Sequence, residues 1–203
     1  MQLVCLDLEG VLVPEVWINV ARVSGVDGLA LTTRDIPDYD TLMQHRLELL
    51  GKHGLTLADI QAVIHDMEPL PGAAEFLDGL RRRGPVVILS DTFTQFAAPL
   101  MNQLGWPTLF CHRLNVDHAD HIVGYTLRLR DHKRLAVEAF RSLRFRVTAV
   151  GDSYNDTTML AAADRGILFR APDTVIREFP QYPHFRDYGG LAAAIVAPHA
   201  DAD

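Results

Sequence analysis

Cysteine is nearly absent from this chain, which has only Cys5 and Cys111 among its 203 residues. A disulfide framework needs several paired cysteines, so the class of small disulfide-stapled secreted domains is excluded. Both cysteines lie in apolar segments that resemble strands. We therefore expect two buried free thiols and no catalytic thiol.

Long apolar runs and an excess of positive charge are also missing. No segment approaches the length of about 20 apolar residues that a transmembrane helix needs. The N-terminus lacks the basic region, apolar stretch and cleavage site of a signal peptide. The formal net charge is −7, which argues against nonspecific nucleic-acid binding, because such binding needs a positive surface. We expect a cytoplasmic protein with no nucleic-acid and no membrane partner.

The remaining composition is that of an ordinary globular protein. Apolar residues make up 48% of the chain and charged residues 22%, so neither a disordered nor a fibrous chain is indicated. The length allows one complete hydrophobic core together with a small inserted unit.

Two segments combine a buried strand with acidic residues at its end. The first, LVCLDLEG, carries Asp7 and Glu9, and the second, VTAVGDSYND, carries Asp152 and Asp156. The carboxyl ends of parallel strands meet in the crevice where open α/β sheets bind ligands. Four acidic side chains converging there need a cation. The sequence favours Mg²⁺, a hard ion that binds one or two carboxylates together with water and phosphate.

The first strand is followed by a helical stretch before the next strand begins. Residues 2–8 and 86–90 have strand patterns, and three helical candidates lie between them, near 15–24, 38–53 and 56–67. This arrangement indicates a small helical cap inserted after the first strand.

After the cap, strands and helices alternate as far as a strand at 166–169, with a hairpin predicted at 113–129. This order predicts an α/β fold with a doubly wound, mostly parallel sheet. We expect residues 1–14 and 69–203 to form the core and residues 15–68 to form the cap.

Four motifs, in the same order, resemble those of the haloacid dehalogenase (HAD) superfamily. DLEGVLV from Asp7 resembles the opening DxDx(T/V) motif, VVILS ends at Ser90, Lys133 follows, and GDSYND with Asp152 resembles the closing GDxxND motif. The resemblance covers roughly residues 1 to 170. It implies a HAD-like Rossmannoid core that carries out phosphoryl transfer.

This resemblance implies roles for the motif residues. Asp7 would be the nucleophile that forms an aspartyl-phosphate, and Glu9 the general acid and base. Most phosphatases of the superfamily have Asp at the position of Glu9, whose side chain reaches one methylene farther. Ser90 and the catalytic Lys133 would bind the phosphoryl oxygens and stabilise the transition state.

The resemblance also implies a ligand set for Mg²⁺. Asp7, the backbone carbonyl of Glu9 and Asp152 would bind the ion. Asp156 would orient Lys133 or a metal-bound water, and Asn155 would donate a hydrogen bond to the phosphate. Taken alone, these residues of the closing motif are also typical of a helix N-terminus, where Ser, Asn and Asp act as caps.

Within the superfamily, the chain resembles the phosphoserine phosphatases. Glu15 follows the opening motif as the ammonium-binding glutamate of that family does, although it lies one residue closer to Asp7. Arg46, in QHRLELL, matches the arginine that binds the substrate carboxylate. The charges agree with this interpretation, because an amino acid needs one anionic and one cationic partner.

Further stretches resemble the bacterial bifunctional phosphoserine phosphatases/homoserine phosphotransferases. Ser90 is followed by Asp91 and Thr92, where ordinary phosphoserine phosphatases usually have two glycines. The resemblance implies O-phospho-L-serine and homoserine as substrates, with Asp91 and Thr92 among the substrate-binding residues. Arg34 and Asp35 are expected in the cap near its entrance.

Two other functions stay open on the sequence. The same core supports phosphatases of other small phosphomonoesters, because the fold does not determine the substrate. A signalling module phosphorylated on aspartate also has a doubly wound sheet, but it is shorter and has no cap. The oligomeric state is open, and a homodimer is one option.

Overall fold

The computed structural model describes residues 1–33, 35–36 and 38–197 of the chain. Arg34, which we expected near the entrance of the cap, lies outside the described residues. Asp35 is described, and its carboxylate accepts hydrogen bonds from the backbone N–H and the hydroxyl of Thr32, at 2.9 and 3.2 Å.

A seven-stranded sheet forms the centre of the described part of the chain. Its strands are β1 (Gln2–Leu6), β2 (Val86–Phe93), β3 (Thr108–Val116), β4 (Ile122–Thr126), β5 (Arg146–Gly151), β6 (Arg165–Phe169) and β7 (His184–Phe185). The strand order is β4-β3-β2-β1-β5-β6-β7, and only the pairing of β3 with β4 is antiparallel. The predicted α/β fold with a mostly parallel sheet is confirmed.

Helices cover this sheet and fill the interval after its first strand. The helices are α1 (Val16–Ser24), α2 (Tyr39–His53), α3 (Leu57–His65), α4 (Ala73–Arg81), α5 (Thr94–Gln103), α6 (His132–Ser142), α7 (Thr157–Ala162), α8 (Asp173–Glu178) and α9 (Tyr188–Val196). The helices α1 to α3 lie where the cap was predicted, and its limits of 15–68 stay a prediction. Within the described ranges, no helix combines the length and apolarity needed to cross a bilayer.

The central strands are buried on both faces. Alternate residues of β1 belong to two separate apolar clusters, with Val4 and Leu6 in one and Leu3 and Cys5 in the other. This is the expected pattern for a parallel sheet covered by helices on both sides. Cys5 and Cys111 are buried free thiols, and burial raises the pKa of the Cys111 thiol to about 11.

The two strands that carry the site end at different places from those we predicted. The strand β1 ends at Leu6 rather than at residue 8. The strand β2 continues beyond Ser90 to Phe93, because Phe93 pairs with His112 of β3 after a shift in register. Phe93 is also one of the largest fully buried side chains, so packing extends this strand past its polar residues.

Several short elements were not predicted. A 3₁₀ helix at Asp27–Ala30 follows α1, and α8, β7 and α9 complete the chain after β6. Their segments are too short or too uniformly small and apolar for a clear periodic pattern. Their formation depends on packing, as in the stacking of Tyr188 on Phe76 and Phe169.

Candidate active site

The chain turns sharply directly after Asp7. The backbone N–H groups of Leu12 and Val13 both donate to the carbonyl of Leu8, at 2.8 and 3.0 Å. Gly10 has a φ of 76°, which glycine adopts without steric cost. A Cβ atom at Gly10 would lie 2.5 Å from the carboxylate of Asp152. The glycine therefore allows the loops after β1 and β5 to approach each other.

Three buried carboxylates meet in the space between these two loops. Carboxylate oxygens of Asp7, Asp152 and Asp156 lie within 4.8 Å of one another. One ammonium faces them: Nζ of Lys133 is 2.9 Å from Oδ1 of Asp7 and 2.8 Å from Oδ1 of Asp156. Among the described residues, these three carboxylates outnumber the ammonium of Lys133, an arrangement that suits a divalent cation.

The protonation of Asp7 depends on this surplus charge. Burial raises the pKa of Asp7 well above its usual value, the charge of Asp156 adds to this effect, and Lys133 opposes it. The same carboxylates hold the pKa of Lys133 well above its usual value, although burial acts in the opposite direction. Lys133 therefore stays charged. An additional cation at the cluster would favour the ionised form of Asp7.

Asp156 is fully buried and fixes the geometry of the loop after β5. Its Oδ2 accepts hydrogen bonds from the backbone N–H groups of Asp152 and Ser153, at 3.0 and 3.2 Å. Its Oδ1 accepts from Nζ of Lys133. Asp156 thus makes the capping contacts expected at a helix start and also orients Lys133. Any contact of Asp156 with a metal-bound water stays a prediction.

The carboxyl group of Glu9 contacts the start of the cap and not β1, the strand that precedes Glu9. Its Oε2 accepts a hydrogen bond of 2.8 Å from the backbone N–H of Val16, the first residue of α1. Burial and the neighbouring carboxylate of Glu15 raise the pKa of Glu9 to about 8. A carboxyl group with this pKa is protonated near neutral pH, so it can serve as a general acid.

Arg46 lies in α2 and is buried without a carboxylate partner among the described residues. Its Nη2 donates to the carbonyl of Leu31 at 2.8 Å, and its guanidinium lies 4.6 Å from the ring centroid of Trp17. Its Nε is buried and has no partner in the described part of the chain. Burial lowers the pKa of Arg46 to about 10, an effect that the charge of Glu9 opposes.

The residues at the end of β2 contact one another and the loop after β5. Oγ of the buried Ser90 accepts a hydrogen bond of 3.2 Å from the backbone N–H of Thr92, which is also buried. Asn155 donates through Nδ2 to Oδ2 of Asp91 at 2.8 Å. Its amide, which we predicted to donate to a phosphate, is thus engaged with Asp91.

A cavity of about 700 Å³ opens above the cluster and beneath the cap. It is lined by all but one of the predicted site residues, namely Asp7, Glu9, Glu15, Arg46, Ser90, Asp91, Thr92, Lys133, Asp152 and Asn155. The exception is the fully buried Asp156. The structure therefore brings residues from Asp7 to Asn155, far apart in the sequence, to one cavity.

Other residues that line the cavity were not predicted from the sequence. They include Trp17 and Tyr39 of the cap and the buried His112 and His132. A histidine within a strand or at a helix start is more often a core residue, so the residue type alone did not indicate a functional site. The indirect indication was that Ser90 and Asp91 follow the apolar run of the neighbouring strand β2.

Comparisons with known proteins agree on one family. A family profile described as "Hydrolase: haloacid dehalogenase-like hydrolase" matches residues 1–164. The chain is 61% identical over 191 residues to phosphoserine phosphatase ThrH of Pseudomonas aeruginosa, covering 94% of this chain and 93% of that protein. It is 63% identical to a phosphoserine phosphatase of Pseudomonas syringae pv. tomato, covering 94% and 81%.

Solved structures give the same fold. A structure described as a phospho-aspartyl intermediate analogue of phosphoserine phosphatase superposes with a TM-score of 0.76 at 21% identity, covering 95% of this chain and 98% of that one. At this identity the likeness concerns the fold alone.

Proposed function

This chain belongs to the haloacid dehalogenase-like hydrolase family, and we propose that it is a phosphoserine phosphatase acting through an aspartyl-phosphate. One observation carries the proposal. The chain is 61% identical, over 94% of its length, to a Pseudomonas phosphoserine phosphatase. This similarity extends through the cap as well as the core, and the cap is where substrate selection is expected.

Asp7 is the proposed nucleophile. One carboxylate oxygen attacks the phosphorus of the substrate, the P–O bond to serine breaks, and the phosphoryl group passes to Asp7. Lys133, charged and 2.9 Å from Asp7, supports the proposal that it neutralises the phosphoryl oxygens as the bond breaks. Ser90 supplies a hydroxyl at the end of the neighbouring strand β2.

Glu9 is the proposed general acid and base. Its raised pKa of about 8 supports a protonated form that donates its proton to the leaving serine oxygen. The resulting carboxylate then removes a proton from the water or alcohol that attacks the aspartyl-phosphate. Because Glu9 is hydrogen-bonded to the first residue of α1, this group is also coupled to the position of the cap.

Mg²⁺ is the proposed cofactor, and the donor set fits it. Asp7, Asp152 and the backbone carbonyl of Glu9 would hold the ion, all of them oxygen donors suited to a hard cation. When bound, Mg²⁺ reduces the repulsion between the Asp7 carboxylate and an anionic phosphate. Asp156 is left to position Lys133 and the loop.

Glu15 and Arg46 are the proposed partners of the amino-acid part of the substrate. Arg46 lines the cavity with a buried Nε that has no partner among the described residues. A substrate carboxylate would satisfy this donor by a charge-assisted hydrogen bond. Glu15 lies at the start of α1 and lines the same cavity, where it would receive the ammonium.

Homoserine is the proposed second acceptor of the phosphoryl group. The resemblance of the opening motif and cap supports this, as does a cavity of about 700 Å³ that leaves room for an amino alcohol beside Asp7. An alcohol bound in the site has an effective concentration far above that of unordered water. Transfer would then give O-phosphohomoserine in competition with hydrolysis.

One experiment tests both halves of the proposal. The purified protein is incubated with O-phospho-L-serine and Mg²⁺, with and without homoserine, and the phosphorylated products are identified. We expect phosphate and serine without homoserine, and saturable formation of O-phosphohomoserine with it. Phosphate release without phosphohomoserine would limit the activity to hydrolysis. Faster turnover of a different phosphomonoester across a substrate panel would contradict the assignment of phosphoserine.

A further inference from the structure

Asp91 holds a carboxylate beside the phosphoryl site, where negative charge would normally oppose an anionic substrate. Its side chain is 32% exposed and lines the cavity. Oδ1 lies 3.2 Å from Nε2 of His132 and 3.4 Å from Nε2 of His112. Oδ2 accepts a 2.8 Å hydrogen bond from Asn155 and lies 3.5 Å from Nζ of Lys133. Both oxygens are therefore engaged by protein groups.

Asp91, His112 and His132 could at first be taken for a metal site, because their donor atoms lie within 4.8 Å of one another. The hydrogen bond from the backbone N–H of Arg128 to Nδ1 of His112, at 3.2 Å, argues otherwise. A backbone N–H always donates, so this Nδ1 carries no proton and Nε2 must carry one. A protonated ring nitrogen has no lone pair for a metal, but it can donate to Asp91.

For the second histidine, His132, the charge of Asp91 determines which ring nitrogen carries a proton. The charge of Lys133 and the hydrogen bonds from both histidines hold the pKa of Asp91 well below its usual value, although burial opposes them. An ionised carboxylate only accepts hydrogen bonds, so Nε2 of His132 also carries a proton. Two imidazole N–H groups therefore converge on one oxygen and fix its direction.

The strand order explains what this carboxylate connects. Asp91 lies in β2 and Asn155 lies after β5, and β1 runs between these two strands. The hydrogen bond between them consequently crosses the end of β1, where Asp7 lies. Lys133 touches this bridge at Asp91 and also contacts Asp7 and Asp156.

We propose that His112 and His132 are positioning residues that fix Asp91 as a bridge holding Asn155 and Lys133 over Asp7. The inference rests on the proposed reaction at Asp7. The donors around Asp91 disperse its charge, so a phosphate can bind nearby. They also hold both carboxylate oxygens in place, so that the side chain does not rotate towards the proposed phosphoryl site. Asp91, which we predicted to bind substrate, is assigned here to the protein's own framework.

The test compares two replacements of His132. His132→Gln keeps an N–H group that can reach Oδ1 of Asp91, whereas His132→Leu keeps the bulk and removes the donor. With phosphoserine and Mg²⁺, we expect His132→Leu to lower kcat about tenfold or more, because small misplacements of catalytic groups are costly. We expect its KM to change much less, and His132→Gln to restore most of kcat. Equal losses in both folded variants would overturn the proposal.

A double-mutant cycle shows whether the histidine acts through Asp91. In an Asp91→Ala background, His132→Leu should change kcat by less than about twofold, because residues that act as one unit are not additive. Full additivity would overturn the proposal. Each variant is also assayed with para-nitrophenyl phosphate, which has no amino-acid part. Activity on para-nitrophenyl phosphate without activity on phosphoserine would refute the phosphoserine assignment. The effect of the bridge could still be measured with this compound.

A third measurement does not depend on activity. Nitrogen-15 NMR of the folded protein should show His112 with its proton on Nε2 and with an unprotonated Nδ1. The Asp7→Asn variant is titrated with Zn²⁺, with and without the additional change His132→Leu. We expect no stoichiometric zinc binding that depends on His132. A proton on Nδ1 of His112, or zinc binding of that kind, would contradict the bridge and indicate a metal site.

Discussion

At the scale of single residues, the charge balance of the site depends on Asp7, which follows β1, and on the charged groups that surround it. Asp7 is only 4% exposed and shares Lys133 with Asp156. Burying a carboxylate is costly unless a cation compensates it. The proposed nucleophile is thus a carboxyl group whose ionised form the folded chain by itself disfavours.

We expect Asp7→Asn to abolish turnover and leave the fold intact. The amide has the same shape but is a poor nucleophile and metal ligand, so activity should fall by more than about a hundredfold. Because one of the competing charges is removed, the melting temperature without Mg²⁺ should be no lower than that of the unmodified protein. A folded Asp7→Asn protein with most of its activity would contradict covalent catalysis.

We expect Arg46→Ala to impair phosphoserine far more than phosphoethanolamine, which lacks the carboxylate. The loss of a buried, charge-assisted contact costs about 2–5 kcal/mol. Arg46 also packs against Trp17, so the variant can alter the cap in general. The ratio of kcat/KM for the two substrates removes this effect. Equal losses on both would mean that Arg46 is structural or contacts the phosphate.

Glu9→Asp tests whether the longer side chain affects the choice of acceptor. The shorter aspartate withdraws the carboxyl group from the N–H of Val16 and from the cap. We expect a lower ratio of phosphohomoserine to phosphate in the products, measured with phosphoserine and saturating homoserine. An unchanged ratio would show that the additional methylene does not determine acceptor choice.

Among the elements, the hairpin formed by β3 and β4 links the core to the cap. At its turn, the carbonyl of Asp120 accepts from the N–H of Leu57 and the carboxylate accepts from that of Ala58, at 2.9 and 2.8 Å. The start of α3 is therefore partly capped by a residue distant in sequence. On the other side, Tyr125 and Arg130 both hydrogen-bond to Asp40 of α2.

We expect Asp120→Gly to lower the free energy of unfolding by less than about 1 kcal/mol, the usual value of a helix cap. Part of the loss is offset, because Asp120 has a φ of 67°, which glycine adopts without steric cost. Asp120→Asn keeps an acceptor oxygen at the same backbone conformation and is the matched control. Chemical denaturation measures all three proteins, and equal stability of the Gly and Asn variants would exclude a capping role.

The elements also show which structural levels can be predicted from the sequence. The helix α2 and the strand β1 have clear sequence patterns, so their predicted positions, 38–53 and 2–8, lie within two residues of the observed Tyr39–His53 and Gln2–Leu6. The end of β2 was not, because Phe93 is drawn into the sheet by tertiary packing. His112 and His132 were missed for a related reason. Their meeting at Asp91 depends on strand order, which no local pattern contains.

At the scale of the whole molecule, the proposed metal joins the loops after β1 and β5, whose residues Asp7 and Asp152 are far apart in the sequence. A cation that binds only the folded state stabilises it, by about 2.7 kcal/mol at one hundred times its dissociation constant. We therefore expect the melting temperature to rise with Mg²⁺ and to fall after chelation. Asp152→Asn should remove this dependence. An undiminished shift in that variant would place the ion elsewhere.

The central position of β1 also has a consequence for the time course of biosynthesis. Among the strands of the sheet it is translated first, yet its neighbours β2 and β5 begin at Val86 and Arg146. Pairings between segments so far apart form late, because the intervening chain must first be ordered. The first strand can therefore pair with β2 well before β5 exists, but its other edge stays unpaired until Arg146–Gly151 has been translated. Asp7 is synthesised before every other residue of its site, and its surroundings are complete only after Asp152 and Asp156 have followed.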